Sequence, residues 1–178
     1  MTITPDTKDW TKVLDAPCAE CGFDAAAVDL PGIGGLLRGA SAQWQQVLQG
    51  AGAASRRNPT LWSPVEYACH MRDVCRVFVV RVERLLTEDE PQFSNWDQDS
   101  TAIEDGYAEQ LPLAVATELT DAAETLAARF DTVRDTQWER GGWRSDGARL
   151  TVAAVARLAA HETLHHLQDA GSTHQGSS

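Results

Sequence analysis

Apolar residues recur at three- and four-residue spacing along four stretches of the chain, the pattern of helices that bury one face. The first stretch covers about residues 31–50, where Leu36, Leu37, Trp44, Val47 and Leu48 follow the glycine-rich start Pro31-Gly-Ile-Gly-Gly and Gly50 closes the run. The second has the clearest start. Ser63-Pro64-Val65-Glu66 reads as a capping box, with proline at the first helical position and Glu66 reaching back to the cap. It continues to about Leu86 and carries Tyr67, His70, Val74, Val77 and Arg81 on one stripe. The third opens at Pro112 and runs to about Thr136, with Leu119, Ala123, Leu126, Phe130 and Val133 on its apolar face. The fourth starts near Thr151 and is expected to end at Gly171 as a C′ residue. Four amphipathic helices and no convincing strand predict an all-α four-helix bundle over residues 31–171, preceded by an N-terminal arm (1–30) and followed by a flexible tail (172–178).

Two connections break the helical period. Residues 88–111 are long for a loop inside a small domain, and such segments often cover functional sites. Phe93, Trp96 and Tyr107 predict that this one packs rather than frays, over the mouth of a site in the bundle. Residues 137–150 are turn-rich, with Ser145-Asp146-Gly147 marking a tight turn.

Composition narrows the function classes. At 178 residues the chain fits one domain with a real core, and 43% hydrophobic with 23% charged residues is ordinary for a globular protein. A net charge of −11 argues against nucleic acid and against an anionic membrane surface, both of which need a basic face. No apolar run approaches the roughly 18 residues of a spanning helix, and the N-terminus lacks the pattern of a secretory signal. The expected location is the cytoplasm, where Cys18, Cys21, Cys69 and Cys75 would be thiols rather than a disulfide framework.

The chemistry concentrates in His161-Glu162-Thr163-Leu164-His165-His166 on the fourth helix. His161 and His165 lie one turn apart on one face, so their imidazoles can meet at one point, half of a divalent-metal site. His166 sits about 100° around the helix from His165, and Glu162 with His166 forms a second, rotated pair. The third ligand is expected from His70, the inward residue of the second helical turn of its own helix. Cys18-x-x-Cys21 has no second C-x-x-C or neighbouring histidine in sequence, so it reads as a turn closed by Gly22, and Cys69 and Cys75 read as small buried apolar residues. The letters H-E-x-x-H also match a zinc protease with Glu162 as base. The extended form of that motif needs glycine at 168 and histidine at 171, whereas the chain has Gln168 and Gly171.

Trp62-Ser-Pro-Val-Glu-Tyr-Ala-Cys-His70-Met-Arg-Asp73, followed far downstream by His161-x-x-x-His165-His166-Leu-Gln168, resembles the DinB-like four-helix bundles over roughly residues 30–170. That family includes the bacillithiol-, mycothiol- and glutathione-dependent S-transferases and the metal-binding domain of mycothiol-dependent maleylpyruvate isomerase. The resemblance implies a metal triad of His70, His161 and His165 holding zinc or nickel, with Asp73 orienting a ligand imidazole and the ion's open position taking a thiol. The arm with Cys18-x-x-Cys21-Gly-Phe-Asp24 and the Asn95-Trp-Asp-Gln-Asp99 loop resemble an actinobacterial branch, which implies mycothiol. Trp96 and Tyr107 are then the residues expected to contact the thiol. The implied partners are a small-molecule thiol and an electrophile, with a homodimer as the oligomeric option. The alternative is a non-catalytic stress protein that binds a metal or a small molecule.

Overall fold

The computed structural model describes residue 3 and residues 8–172; the tail from 173, including His174, lies outside the described residues. Four long helices form the bundle: α1 (Ile33–Leu48), α2 (Pro64–Thr87), α4 (Pro112–Asp131) and α5 (Val152–Ser172). A short α3 (Gln98–Glu104) stands in the connection between α2 and α4. α4 packs on both α1 and α2, and α5 packs on both α2 and α1. The order around the bundle is therefore α1, α4, α2, α5, and consecutive α1 and α2 face each other diagonally.

The helices form where the pattern places them, and their faces explain the packing. On α1 the buried positions Ile33, Leu37, Ala40, Trp44 and Leu48 follow the helical period. α2 starts as the capping box requires: the Glu66 carboxylate accepts from the Ser63 backbone N–H at 2.9 Å and from the Ser63 hydroxyl at 2.7 Å, and is clamped by Arg56. α5 buries nearly every side chain from Val152 to His161, because this half of the helix runs through the centre of the fold. Two boundaries differ from expectation. α4 stops at Asp131 rather than near Thr136, and Gly171 lies inside α5 rather than beyond its end.

The expectation of no strand is corrected. Residues 137–150 hold a hairpin, β2 (Gly141–Arg144) with β3 (Arg149–Thr151), and β1 (Gln92–Phe93) joins β2 in parallel. Strands this short carry no period for a sequence reading to detect. Their determinants are local: Gly147 takes φ +87° at the turn, and a side chain at Gly142 would lie 2.5 Å from the Pro91 carbonyl oxygen. The pairing ties the 88–111 connection to the hairpin. Ser145 N–H donates to the Phe93 carbonyl (2.8 Å), and Asn95 N–H donates to the Ser145 hydroxyl (3.1 Å).

The arm lies along α5. A 3₁₀ turn, Trp10–Leu14, is capped by the Asp9 carboxylate, a second one spans Ala25–Ala27, and Arg157 of α5 donates to the Ala25 carbonyl at 3.1 Å. Cys18 and Val13 are buried with the main core, so the arm is part of the packed structure. Among the described residues no helix is long and apolar enough to cross a membrane.

Candidate metal centre

α2 and α5 lie side by side, and that contact assembles the site. α2 aims His70 inward, where it is 1% exposed, and α5 presents His161, Glu162, His165 and His166 along two adjacent faces. Because successive helical residues turn by about 100°, the Glu162/His166 face meets α2 while the His161/His165 face meets the arm.

The first group is His70, Glu162 and His166, whose donor atoms lie within 4.8 Å of one another. The Glu162 Oε2 atom stands 3.3 Å from Nε2 of His70 and 3.3 Å from Nε2 of His166. On its other side, Nδ1 of His166 lies 3.2 Å from the Asp169 carboxylate. Nδ1 of His70 is buried with no hydrogen-bond partner. Two imidazoles and a carboxylate form the donor set of many catalytic zinc ions, so these three residues fit a divalent cation with a position left for a small molecule. Burial opposes the charge on Glu162, but the neighbouring imidazoles of His161 (3.8 Å), His166 and His70 (3.3 Å each) outweigh it and hold the carboxyl well below its usual range. Burial pulls His70 down toward the neutral form that a ligand needs. His166 is also penalised by burial, yet Asp169 and Glu162 raise it to about 9. A cation binding there would displace its proton.

His70 and Glu162 border an open cavity of about 450 Å³ lined by the arm, α2, α5, the hairpin and the 88–111 connection. That volume is in the range of small-molecule sites. Val74, Phe78 and Leu158 supply an apolar wall, and Arg81 and Arg144 bring positive charge to a mouth that also carries Asp97 and Asp146. Trp96 forms the roof, with its ring stacked on His70 at 5.5 Å and 8° and its Nε1 donating to the Thr101 hydroxyl at 2.8 Å. The long connection therefore does cover a cavity beside His70, and residues 95–99 line it. His166 borders an adjoining cavity of about 320 Å³, together with Trp62, Tyr67 and Asp169, and Lys8, Trp10, Gln98 and Asp99 line both.

The second group is Cys18, Cys21, His161 and His165, whose donor atoms also lie within 4.8 Å of one another. The structure thus distributes the three histidines expected to share one ion. His70 keeps company with Glu162 and His166, while His161 and His165 face the two cysteines. The expectation that nothing completes the C-x-x-C is corrected: the completing histidines lie about 140 residues away in sequence and reach the arm only through its packing on α5.

Asp73 does not orient a ligand imidazole here. Its carboxylate accepts a bidentate pair from Arg72 (2.9 Å each), one bond from Arg76 (3.0 Å) and one from the Tyr107 hydroxyl (2.6 Å). Tyr107 is 1% exposed and serves this network rather than lining the cavity. The residues that sequence reasoning undervalued are Glu162 and His166, read as a second pair rotated off the focus and not assigned to the metal. Their i, i+4 spacing was the available signal, identical to that of His161 and His165.

Comparison with known proteins bears on this geometry. The family model described as the DinB superfamily matches residues 36–170. Among solved structures the chain is similar to YfiT from Bacillus subtilis, with a TM-score of 0.70 at 16% sequence identity, covering 83% of this chain and 89% of that one. YfiT is described as "a probable metal-dependent hydrolase with an unusual four-helix bundle topology". At that identity the likeness concerns the fold. No significant match is found among curated proteins.

Proposed function

The chain belongs to the DinB superfamily, and on that premise we propose that it is a metal-dependent enzyme acting on a small molecule in the cavity beside His70. One observation carries the reading: His70, Glu162 and His166 bring two imidazoles and a carboxylate within 4.8 Å at a cavity of about 450 Å³. A divalent ion of the zinc class supplies Lewis-acid charge there, which favours the anionic form of a bound thiol or water at neutral pH. The chain's own residues do the rest. Glu162 and the two histidines hold the ion, Trp96 shields His70 from solvent, Phe78 and Leu158 receive the apolar part of a substrate, and Arg81 attracts an anionic part, the neighbouring Arg144 being paired with Asp146.

We take the nucleophile to be a low-molecular-weight thiol, of the mycothiol kind, attacking a small electrophile. A cavity of this size holds more than a water and one small substrate, and its mouth offers charged groups of both signs to a polar thiol. Hydrolysis is the second reading, favoured by the description of the similar structure YfiT. The test is turnover by zinc- or nickel-loaded protein with chlorodinitrobenzene and a panel of mycothiol, bacillithiol and glutathione, beside a panel of esters and amides without thiol. The expected result is metal-dependent turnover that requires a thiol and is lost in Glu162→Gln. Thiol-independent hydrolysis would replace the thiol reading with the second one, and no turnover in either panel would remove the enzyme reading altogether.

A further inference from the structure

We propose that Cys18, Cys21, His161 and His165 form a second metal site, a closed Cys₂His₂ site for a structural zinc ion that staples the N-terminal arm to α5. It is separate from the His70, Glu162 and His166 group and carries no open position for substrate.

The donor set is the first argument. Two thiols and two imidazoles with C-x-x-C and H-x-x-x-H spacings match the tetrahedral sites zinc uses for structure. In such a site Zn–S of about 2.3 Å and Zn–N of about 2.0 Å put the donors roughly 3.3–3.8 Å apart. Here all four lie within 4.8 Å of one another, and Sγ of Cys18 is 3.9 Å from Nδ1 of His165. Two thiolates neutralise the ion's charge, which suits a site walled by aromatic rings.

The second argument is what surrounds the donors. Both ring nitrogens of His161 are buried without a hydrogen-bond partner, a costly arrangement that an ion would relieve. The Cys18–Phe23 segment is a tight turn: Cys18 N–H donates to the Phe23 carbonyl (2.8 Å), Gly22 N–H donates to the Cys18 carbonyl (2.9 Å), and Gly22 adopts φ +73°. That turn directs backbone N–H groups at the first sulfur. The N–H groups of Cys21 and Glu20 point at that sulfur. Nε2 of His165 faces the carboxylates of Asp169 (3.4 Å) and Glu20 (3.6 Å), the kind of outer partner that fixes a ligand imidazole. Trp10 covers both histidines, at ring distances of 5.2 Å and 4.9 Å, and Phe23 covers His161 at 5.3 Å.

The consequence reaches the first site. Histidines 161 and 165 alternate along α5 with Glu162 and His166, and arm residues Lys8, Asp9, Trp10 and Thr11 line the cavity beside His70. An ion on the outer face of α5 would hold both the arm wall and the register of Glu162 and His166.

Cobalt is the probe that separates this site from the other. Whole protein, reduced and stripped of metal, is titrated with Co²⁺ alone and with Zn²⁺ alone, and metal content is measured by mass spectrometry. The expected result is about two equivalents of metal, with a sulfur-to-cobalt charge-transfer band in the near ultraviolet from one of them. His70→Ala should keep that band and lose the other equivalent. Cys18→Ser/Cys21→Ser should lose the band and one equivalent, and trypsin should then cut after Lys12 at least tenfold faster. Wild-type protein that takes up cobalt without a thiolate band, or in which Cys18 and Cys21 alkylate equally fast with and without Zn²⁺, would overturn the proposal even if the double variant failed to fold.

Discussion

Replacing Asp73 with asparagine tests whether the acidic residue one turn beyond His70 supports the metal or the scaffold. In the structure it supports the scaffold. Arg72 is 4% exposed and Asp73 is 7% exposed, and the carboxylate accepts from Arg72, Arg76 and Tyr107. Asparagine keeps the shape but removes the charge, leaving Arg72 buried against Gln110 and the half-exposed Glu118, and it turns one acceptor into a donor facing a Tyr107 hydroxyl or a guanidinium. Breaking one side of a buried ion pair costs about 3–5 kcal/mol. The pair's outer partners remain, so the lower end, about 3 kcal/mol, is expected. At about 2–4 °C per kcal/mol for a chain of this length, Tm should fall by about 6–12 °C. The pH dependence has a definite sign. Burial opposes the charge on Asp73, but Arg72 and Tyr107 outweigh it and depress its pKa below the ordinary value. Its contribution is therefore complete above the unfolded pKa of about 3.9 and lost as pH falls through the lower folded value. The gap between wild type and Asp73→Asn should be constant from neutral pH down to about pH 4 and should close below it. The assay is thermal unfolding by circular dichroism across that range, with metal content measured on the same samples. A variant with unchanged Tm that has lost its metal would refute this account and return Asp73 to a role at the metal.

Trp96→Ala should remain folded, losing about 2 kcal/mol from the His70 stack and the Thr101 hydrogen bond. In metal-loaded protein it should change thiol-dependent turnover or thiol affinity by more than about tenfold, roughly 1.4 kcal/mol; unchanged kinetics would take the roof out of the active site. Glu66→Ala removes the acceptor shared by Ser63 and Arg56 at the start of α2. A stability loss of about 2 kcal/mol in urea melts is expected, with metal content unaffected, and a loss below about 0.5 kcal/mol would show that Arg56 and Ser63 find other partners.

Much of the architecture was written locally. The period of Leu119, Ala123, Leu126 and Phe130, the Ser63–Glu66 cap and Pro112 each act within one or two turns of helix, so the four-helix bundle could be read without coordinates. The family resemblance was legible for a related reason, since the residues around His70 and His161 keep their order and separation whatever the packing. The rotated Glu162/His166 pair was legible too, because a helix fixes the angle between neighbours. What the sequence by itself could not determine was which face of α5 meets which partner. That choice depends on how α2 and the arm pack on the helix, a sum of contacts between residues up to about 140 positions apart. Packing gave the Glu162/His166 face to His70 and the His161/His165 face to Cys18 and Cys21. The three short strands fall on the same side of the line, since two to four residues cannot display a period and only their pairing defines them.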